Sequence, residues 1–442
     1  MKKQLVSVMA VTLLAQLAAF VKLWLTARLF GVGPELDGYN LGFVLPTLVA
    51  GILSGMLQTG LFPVYAQLRA EGNTRRLEQF ERLVLLAMGV LAGIIALVLA
   101  VGASNVAELL AHDSTDAVRQ WTAFVLPWAA AAILLNGIGD YLGYVLALRG
   151  RYVIAASAPI ANAILGAALL AAWPEGGLLN LTLGTVAGIA LQVMICLAGA
   201  QWAGFRPFGV TLAVGEFKSE FAQMLRLGGW ILPGLVFANL TASLPTILVA
   251  QYGEGAVSAF GYAYRLHQSA IQLLVMAASP VILAHFSDLV ARGEWESLRV
   301  LLRKAGWISL TIGFVAWAGV FLLGEPVLAI VFGHGRFDAE AVNRVASQWA
   351  WLTLGLAPAI LGNVLAKCLQ ALARPRLISV LAAVGLLVLL GLAAVFSGLL
   401  SESAVPAALS GSALFVTLLL WKSVLLRTGS QPVDRLKINE RN

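Results

Sequence analysis

The stretch LVLLAMGVLAGIIALVLAV occupies residues 83–101 and contains no charged side chain. An apolar helix of about 20 residues is long enough to cross a hydrocarbon core about 30 Å thick. Similar runs recur along the chain, of whose 442 residues 60% are hydrophobic and only 12% charged. Soluble proteins carry about 25% charged residues. The short alternating segments of a membrane β-barrel do not occur in the sequence, which therefore predicts an all-α polytopic membrane protein.

The apolar runs predict about twelve transmembrane helices. The first run follows Lys2 and Lys3 and superficially resembles a signal peptide, but it continues through Lys22 to Phe30, so we interpret it as the first span. The predicted spans are 4–30, 37–66, 82–110, 116–147, 152–173, 178–203, 224–251, 257–290, 301–332, 341–372, 377–399 and 404–426.

Basic residues concentrate in alternate connections between these spans. By the positive-inside rule, this distribution predicts a bacterial inner-membrane protein with both termini in the cytoplasm. The same loops account for the net charge of +7, so the charge does not indicate a nucleic-acid partner. The predicted cytoplasmic side carries Lys2, Lys3, Arg69, Arg75, Arg76, Arg82, Arg149, Arg151, Arg206, Lys218, Arg292, Arg299, Arg303, Lys304, Arg374, Arg376 and Lys422.

The longest predicted cytoplasmic connection, residues 204–223, divides the chain near its middle and is mildly amphipathic. We predict an N-terminal six-helix half (1–203), this linker, a C-terminal six-helix half (224–426) and a cytoplasmic tail (427–442). The halves share similar segments about 221–223 residues apart, such as Asp37-Gly38-Tyr39 and Phe260-Gly261-Tyr262. An even number of spans makes the repeat parallel, and in transporters such halves surround a central cavity. The alternative is a duplicated membrane protein that transports nothing.

Ionisable residues inside predicted spans indicate functional sites, because a charge facing lipid costs about 2.5–3.5 kcal/mol. Lys22, Arg265 and Lys367 lie in spans 1, 8 and 10, and Asp140 lies near the cytoplasmic end of span 4. Cations that face a wet cavity avoid most of this cost and suit an anionic ligand such as a phosphate. Alternatively, Arg265 pairs with a loop carboxylate or a helix end, and Lys22 and Lys367 extend to an interface.

Asp37 lies at the predicted outer mouth, where it either caps span 2 or gates the cavity. His267 and His285 share span 8 without the spacing of a metal pair, and Cys196 and Cys368 lie in apolar runs. The sequence holds no GxxxxGK[ST] loop and no catalytic constellation. It therefore predicts neither an enzyme nor a metal or cofactor site.

Several segments together resemble the MviN/MurJ family, the lipid II flippases of the multidrug/oligosaccharidyl-lipid/polysaccharide exporter (MOP) superfamily. The resemblance extends over nearly the whole chain, and the order of the segments makes it specific. They are ARLFGVG (27–33) with Asp37-Gly38-Tyr39, Phe43, Leu45-Pro46 and Phe62-Pro63, then Arg149-Gly150-Arg151-Tyr152 with Ala158-Pro159-Ile160-Ala161-Asn162, then Tyr262-Ala263-Tyr264-Arg265-Leu266 and VFGHGRF (331–337).

The resemblance implies a flippase that moves a polyprenyl-pyrophosphate-linked saccharide across the inner membrane by alternating access, through a cationic central cavity. It aligns Arg265 with an essential arginine, Lys22 with a usual arginine, and Asp37 and Lys367 with residues of the same type. Gln16 and Ala50 stand where lipid II flippases usually carry arginine, and Ser54 replaces a usual glutamate. The best-known members have fourteen spans, two more than are predicted here.

Because of these departures, the sequence does not identify which lipid-linked glycan is transported. Lipid II and the precursor of another polysaccharide both fit the pattern. The remaining alternatives are an exporter of small cationic compounds and a non-transporting membrane scaffold for glycan synthesis. The expected partners are the lipid-linked saccharide and membrane lipids, and nothing in the sequence selects an oligomeric state.

Overall fold

The computed structural model of the chain describes residues 2–207, 217–276, 279–372 and 374–429, and within these ranges it is helical with no strand. Ten helical stretches of the described residues are long and apolar enough to cross a membrane. The helices are α1 (Lys2–Phe30), α2 (Pro34–Ala70), α3 (Thr74–Val101), α4 (Ala103–Leu110), α5 (Asp116–Leu148), α6 (Tyr152–Ala172), α7 (Gly177–Trp202), α8 (Lys218–Val249), α9 (Ala256–Ile271), α10 (Ser279–Ala291), α11 (Trp295–Phe332), α12 (Ala339–Leu354), α13 (Leu356–Ala371), α14 (Pro375–Leu400) and α15 (Ala404–Gly429).

The twelve predicted spans map onto these helices, and three of them are divided. Span 3 comprises α3 and α4, which meet at Gly102. Span 8 comprises α9 and α10, with a π-helical turn at Gln272–Met276, and π-helical turns often mark functional sites. Span 10 comprises α12 and α13, which meet at Gly355. The all-α polytopic fold class is therefore confirmed.

The predicted linker and tail lie partly outside the described residues. Residues 208–216 of the linker and residues 430–442 of the tail belong to the undescribed part of the chain. The described end of the linker is helical, because α8 begins at Lys218. The division into two sequence-related halves with boundaries at 203 and 224 stays a prediction.

The chain forms two compact units, and the first consists of Met1–Tyr262 and Glu325–Val345. Its core is formed by α2, α3, α5 and α7, and the fully buried side chains Leu61, Phe80, Leu126 and Ile133 lie at its centre. The second unit consists of Ala263–Gly324 and Ala346–Asn442. In its described part, α10, α13 and α15 bury Phe286, Leu365, Cys368 and Val424.

Small residues bring α2 and α8 close together within the first unit. A Cβ atom at Gly60 would lie 2.5 Å from the carbonyl oxygen of Met224, and one at Gly228 would lie 2.9 Å from that of Met56. Further along α2, Gly51 faces Asn239 and Gly55 faces Leu235. Such glycines let two helix backbones approach in lipid, where dispersion contacts replace the hydrophobic effect as the driving force. The α2–α8 contact therefore extends over most of both helices.

A buried ion pair joins α3 to α5 near the end of the first unit at which α5 terminates. The Glu81 carboxylate is fully buried and lies 2.6 Å from the Arg149 guanidinium. Arg149 also donates to the carbonyl of Ala203, beyond α7, at 2.8 Å. Tyr141 donates its hydroxyl to the main-chain oxygen of Glu81 at 2.5 Å. These contacts fix the ends of three helices against one another.

Candidate functional site

The turn between α1 and α2 lies against two segments that are distant in the sequence. At Gly31 the backbone has φ +61°, a left-handed conformation that favours glycine, and a Cβ atom there would collide with the carbonyl of Arg336. Tyr262 of α9 donates to the Gly31 carbonyl at 3.2 Å. The amide of Gly33 donates to the Ser258 hydroxyl at 3.2 Å. We call residues 31–37, 253–262 and 331–337 the turn cluster.

Asp37 is the buried acid of the turn cluster. It lies in the first turn of α2, but its carboxylate caps a different helix, α9. Its two oxygens accept from the backbone amides of Gly255 at 2.5 Å and Ser258 at 2.6 Å. A carboxylate at a helix N-terminus satisfies amides that have no intrahelical partner and interacts favourably with the helix dipole. Asp37 therefore fixes the beginning of α9 to the beginning of α2.

The α11–α12 connection completes the turn cluster from the other side. The Arg336 amide donates to the carbonyl of Arg28 at 3.0 Å, and its guanidinium lies 3.3 Å from the Glu35 carboxylate. The indole of Trp24 donates to the carbonyl of Val331 at 2.8 Å. These contacts hold the α11–α12 connection against α1 and the α1–α2 turn, at the end of the first unit that the charge distribution predicts to face the periplasm.

Lys22 lies on α1, and its half-buried side chain extends across α6 to α7. Its ammonium donates to the Thr185 hydroxyl at 2.9 Å. The Tyr39 hydroxyl lies 2.8 Å from the same oxygen. Because Thr185 donates its own proton to the Leu181 carbonyl, it accepts from both Lys22 and Tyr39. The absence of a side chain at Gly166 leaves room, since a Cβ atom there would lie 2.9 Å from Cε of Lys22.

The structure places Lys22 and Asp37 in the same unit and connects them through α2. Tyr39 follows Asp37 by two residues, so one short segment of α2 contacts α9 through Asp37 and the Lys22–Thr185 pair through Tyr39. A displacement of this segment would alter both contacts. Asp37, which was predicted at the mouth, and Lys22, which was predicted in the cavity, are therefore connected to the same segment of α2.

Arg265 and Lys367 belong to the second unit. Arg265 is an exposed residue of α9, and its carbonyl accepts from the Ser269 hydroxyl at 2.9 Å. Lys367 lies one turn before the end of α13, and its ammonium donates to Gln370 at 3.3 Å. A cation near a helix C-terminus is favoured by the helix dipole. Their assignment to a substrate site stays a prediction.

The remaining candidates have no site geometry in the described part of the chain. No group of three or more histidine, cysteine, aspartate or glutamate side chains there is arranged to hold a metal ion. Cys196 and Cys368 are buried free thiols on α7 and α13, where they contribute to packing. His267 is buried on α9.

Sequence reasoning missed the polar partners of the predicted residues. Thr185, Tyr39 and Ser258 are uncharged and carry no signal by themselves in an apolar run. Gly166 is equally inconspicuous in the alanine-rich sequence of α6. One available signal was the Asp37-Gly38-Tyr39 segment, in which Tyr39, two residues after the acid, contacts Thr185.

With this geometry established, comparison with known proteins identifies the family. Residues 26–438 match the family described as "Lipid II flippase MurJ". The chain belongs to the MurJ family. A protein named "Probable lipid II flippase MurJ" from Rhizobium meliloti (strain 1021) is 26% identical over 375 residues, which cover 80% of this chain and 67% of that protein. A protein of the same name from Synechocystis sp. (strain ATCC 27184 / PCC 6803 / Kazusa) is 24% identical over 379 residues, covering 82% of this chain and 69% of that protein.

Solved structures show the same fold. A lipid II flippase MurJ in an inward closed conformation superposes with a TM-score of 0.79 and 17% identity, over 94% of this chain and 86% of that chain. An inward-facing MATE-family multidrug transporter of the MOP superfamily gives a TM-score of 0.78 and 15% identity, over 96% and 95% of the two chains. The family and the fold are those of multi-pass membrane transporters rather than enzymes, and the suspected MurJ resemblance is confirmed.

Proposed function

We propose that this MurJ-family protein is a flippase that moves a polyprenyl-pyrophosphate-linked saccharide from the cytoplasmic to the periplasmic leaflet of the bacterial inner membrane. Lipid II is the first candidate substrate, because the family and the relatives compared above carry that name. We place both termini in the cytoplasm, as the positive-inside rule predicts. In this orientation the turn cluster lies on the periplasmic side.

The observation that carries the proposal is the position of Lys22. Its ammonium lies among the helices of the first unit, where it donates to the Thr185 hydroxyl, and Tyr39 forms a hydrogen bond with the same oxygen. A lysine binds phosphate as a point charge, and the Tyr39 hydroxyl, on leaving Thr185, supplies a further donor to a phosphate oxygen. This combination suits the pyrophosphate of a lipid-linked sugar. Arg265 and Lys367 are proposed to supply additional positive charge from the second half.

Asp37 is proposed to control the periplasmic mouth. Its carboxylate joins the start of α2, in the first predicted half, to the start of α9, in the second. Alternating access requires the two halves to separate at one end of the protein while they close at the other. Release of the saccharide to the periplasm would then require these two hydrogen bonds to break, and their re-formation would return the closed state.

A second candidate function is export of small cationic compounds. The MATE transporter superposes almost as well as the MurJ structure, with TM-scores of 0.78 and 0.79. The intramembrane charges favour the flippase, because Lys22, Arg265 and Lys367 would repel a cationic substrate. The precursor of another polysaccharide remains a further candidate, since pyrophosphate recognition does not depend on the sugar.

The proposal is tested with purified protein in liposomes that contain fluorescent lipid II. Exposure of the fluorophore to membrane-impermeant dithionite reports translocation, and complementation of a flippase-depleted strain gives an independent readout. Lys22→Ala and Arg265→Ala should abolish both activities at normal protein levels. The matched control is Arg119→Ala, since Arg119 is paired with Asp116 outside the proposed site. Full activity of both alanine variants would overturn the proposed role of the cations.

The same liposomes distinguish the candidate substrates. Lipid-linked precursors that share the pyrophosphate but differ in the sugar define the specificity of the protein, and a cationic dye tests the exporter alternative. Dye transport without translocation of any lipid-linked precursor would replace the flippase proposal with the exporter.

A further inference from the structure

A narrow crevice lies between α11 and α15, near the beginning of α11 and the end of α15. Its volume is about 30 Å³, and all of its lining residues belong to the second unit. They are Arg299, Leu302, Arg303, Trp421, Val424 and Leu425, and we call this space the basic crevice. The positive-inside rule places it at the cytoplasmic surface. A space of this volume admits a water-sized group, such as one phosphate oxygen, so the rest of a ligand would remain outside the crevice.

The basic crevice contains a buried guanidinium donor without a hydrogen-bond partner. In the described part of the chain, nothing accepts from Nε of Arg299. The Nη1 atom of Arg299 lies 3.2 Å from the carboxylate of Glu296, but this glutamate is 75% exposed and the pair is screened by solvent. Arg303, one turn later on α11, is exposed, and the described residues offer it no hydrogen bond or ion pair. Guanidinium groups bind phosphate oxygens strongly, so the two arginines indicate a phosphate ligand.

An apolar cavity of about 510 Å³ lies deeper along the same two helices. It extends from Leu310 to Trp317 on α11 and reaches Leu414 on α15, and its other walls come from α12, α13 and α14. Apart from Ser410 and the indoles of Trp317 and Trp351, its lining side chains are apolar. The Ser410 hydroxyl already donates to the Trp351 carbonyl at 2.6 Å. The apolar cavity therefore suits a hydrocarbon chain.

The spacing of the basic crevice and the apolar cavity fits one phospholipid molecule. Along α11, Leu310 lies about 10 Å and Trp317 about 21 Å beyond Arg303, at 1.5 Å per residue. One leaflet of the hydrocarbon core is about 15 Å thick. An acyl chain that descends from a phosphate at Arg303 therefore reaches the depth of the cavity. Leu310 and Leu414, which are 53% and 51% exposed, lie on its outer side, so the chain enters laterally from the membrane.

The charges around the basic crevice favour an anionic headgroup. Lys304 and Lys422 are exposed and follow lining residues directly in the sequence. Among the described ion pairs, Glu296 is the acid that meets a lining arginine, and it offsets one positive charge. The remaining positive charge attracts a phospholipid of net negative charge more strongly than a zwitterionic one. Basic pockets between transmembrane helices at the cytoplasmic surface bind anionic lipid headgroups in this way.

We propose that the basic crevice and the apolar cavity together bind one anionic phospholipid of the cytoplasmic leaflet. Its phosphate contacts Arg299 and Arg303, and one of its acyl chains occupies the apolar cavity. The bound lipid thereby joins the surfaces of α11 and α15 within the second unit. This site goes beyond the flippase function proposed above, because it shares no residue with the proposed substrate site and does not depend on transport.

The site is tested with phosphatidylglycerol that carries a diazirine near the end of one acyl chain, in liposomes that contain the full-length protein. After irradiation, peptide mass spectrometry should find cross-links at Trp317 and Trp351 about tenfold more often than with phosphatidylcholine carrying the same chain. The double variant Arg299→Gln/Arg303→Gln should lose this preference. The control Arg292→Gln changes an exposed arginine paired with Asp288, outside the crevice, and should keep it. Equal labelling by both lipids, or an unchanged preference in the double variant, would overturn the proposal.

Competition distinguishes a phospholipid from other phosphates. Millimolar inorganic phosphate should leave the cross-links unchanged, because it has no chain to fill the apolar cavity; their loss would assign the crevice to free phosphate. Their loss in the presence of a polyprenyl phosphate would instead assign the cavity to a lipid-linked substrate. Leu414→Trp, which fills the outer side of the cavity, should reduce cross-linking at an unchanged thermal-unfolding midpoint, and full cross-linking would contradict the position of the chain. Since translocation is not measured, a failure of the flippase proposal leaves these results interpretable.

Discussion

The carboxylate of Asp37 on α2 accepts a hydrogen bond of 2.6 Å from the backbone amide of Ser258, in the first turn of α9. The two residues are separated by 221 positions in the sequence. The acid therefore caps a helix that belongs to the other predicted half, while the amide of Gly33 donates back to the Ser258 hydroxyl. This reciprocal arrangement joins the two helix beginnings more firmly than either hydrogen bond would alone.

Asp37→Asn should open the turn cluster. The substitution removes the charge from hydrogen bonds that contribute about 1.5–3 kcal/mol, so the closed state should lose at least about tenfold in population. The measurement is the reaction of Gly33→Cys with a membrane-impermeant maleimide in intact spheroplasts. A cysteine is tolerated at Gly33, because a Cβ atom there would have no neighbour within 4 Å.

The matched control for this prediction is Asp116→Asn. Asp116 also lies in the first turn of a helix at the same end of the unit, but its side chain is exposed and its described contact is with Arg119. Labelling should remain at the wild-type rate in this variant. Equal labelling rates for Asp37→Asn and wild type would show that the carboxylate does not hold the cluster closed.

Gly166→Ala should reduce the transport activity of the protein without reducing its stability. The new methyl group would lie 2.9 Å from Cε and 3.0 Å from Nζ of Lys22, so the lysine must move away from Thr185. The flexible lysine can move, and replacing a helical glycine by alanine stabilises a helix by about 0.5–1 kcal/mol. We expect unchanged or higher thermal stability with lipid II translocation reduced about tenfold. Gly143→Ala, with no atom within 4 Å of the new methyl group, is the control and should translocate normally.

Gly228→Ala should weaken the α2–α8 contact, whereas Gly229→Ala should not. At Gly228 the added methyl group would lie 2.9 Å from the carbonyl oxygen of Met56, and a backbone atom cannot move independently. Overpacking of this kind costs about 1–3 kcal/mol. At Gly229 no atom lies within 4 Å. Thermal unfolding of both variants in the same detergent measures the difference, and equal midpoints would contradict the close approach of the two helices.

Arg149→Leu should be among the most destabilising single changes in the first unit. It leaves the Glu81 carboxylate, which is 0% exposed, without its cation, and breaking a buried pair in this way costs about 3–5 kcal/mol. Arg292→Leu breaks a pair that is 62% and 49% exposed and should cost at most about 1 kcal/mol. Loss of the monodisperse peak on size-exclusion chromatography after graded heating compares the two variants. A similar loss for both would argue against the buried pair.

In the turn cluster and at Lys22, the sequence alone identified the charged residues but not their polar partners. The acid at position 37 and the cation at position 22 were both recognisable, because a charge in an apolar run is costly and therefore conspicuous. Their partners were not recognisable. Thr185 and Ser258 are small polar residues that occur in many membrane helices, and hydrogen bonds over 163 and 221 positions leave no local pattern.

The same distinction applies to the twelve predicted spans. Their number and order follow from apolar length, since a helix must satisfy its own backbone hydrogen bonds in lipid and must be long enough to cross it. The interruption at Gly355 did not follow, because Ser410 of another helix packs against it. The Ser410 hydroxyl donates to the carbonyl of Trp351 at 2.6 Å, beside the break between α12 and α13.

The sequence by itself thus determined the membrane class, the order of the apolar helices and the charged candidates, because hydropathy and charge act on each segment separately. Only the tertiary structure decided that Asp37 caps α9 rather than its own helix, and that Lys22 donates to Thr185, which Tyr39 also contacts. These are pairwise contacts between distant segments. Their formation depends on how the helices pack, which hydropathy does not encode.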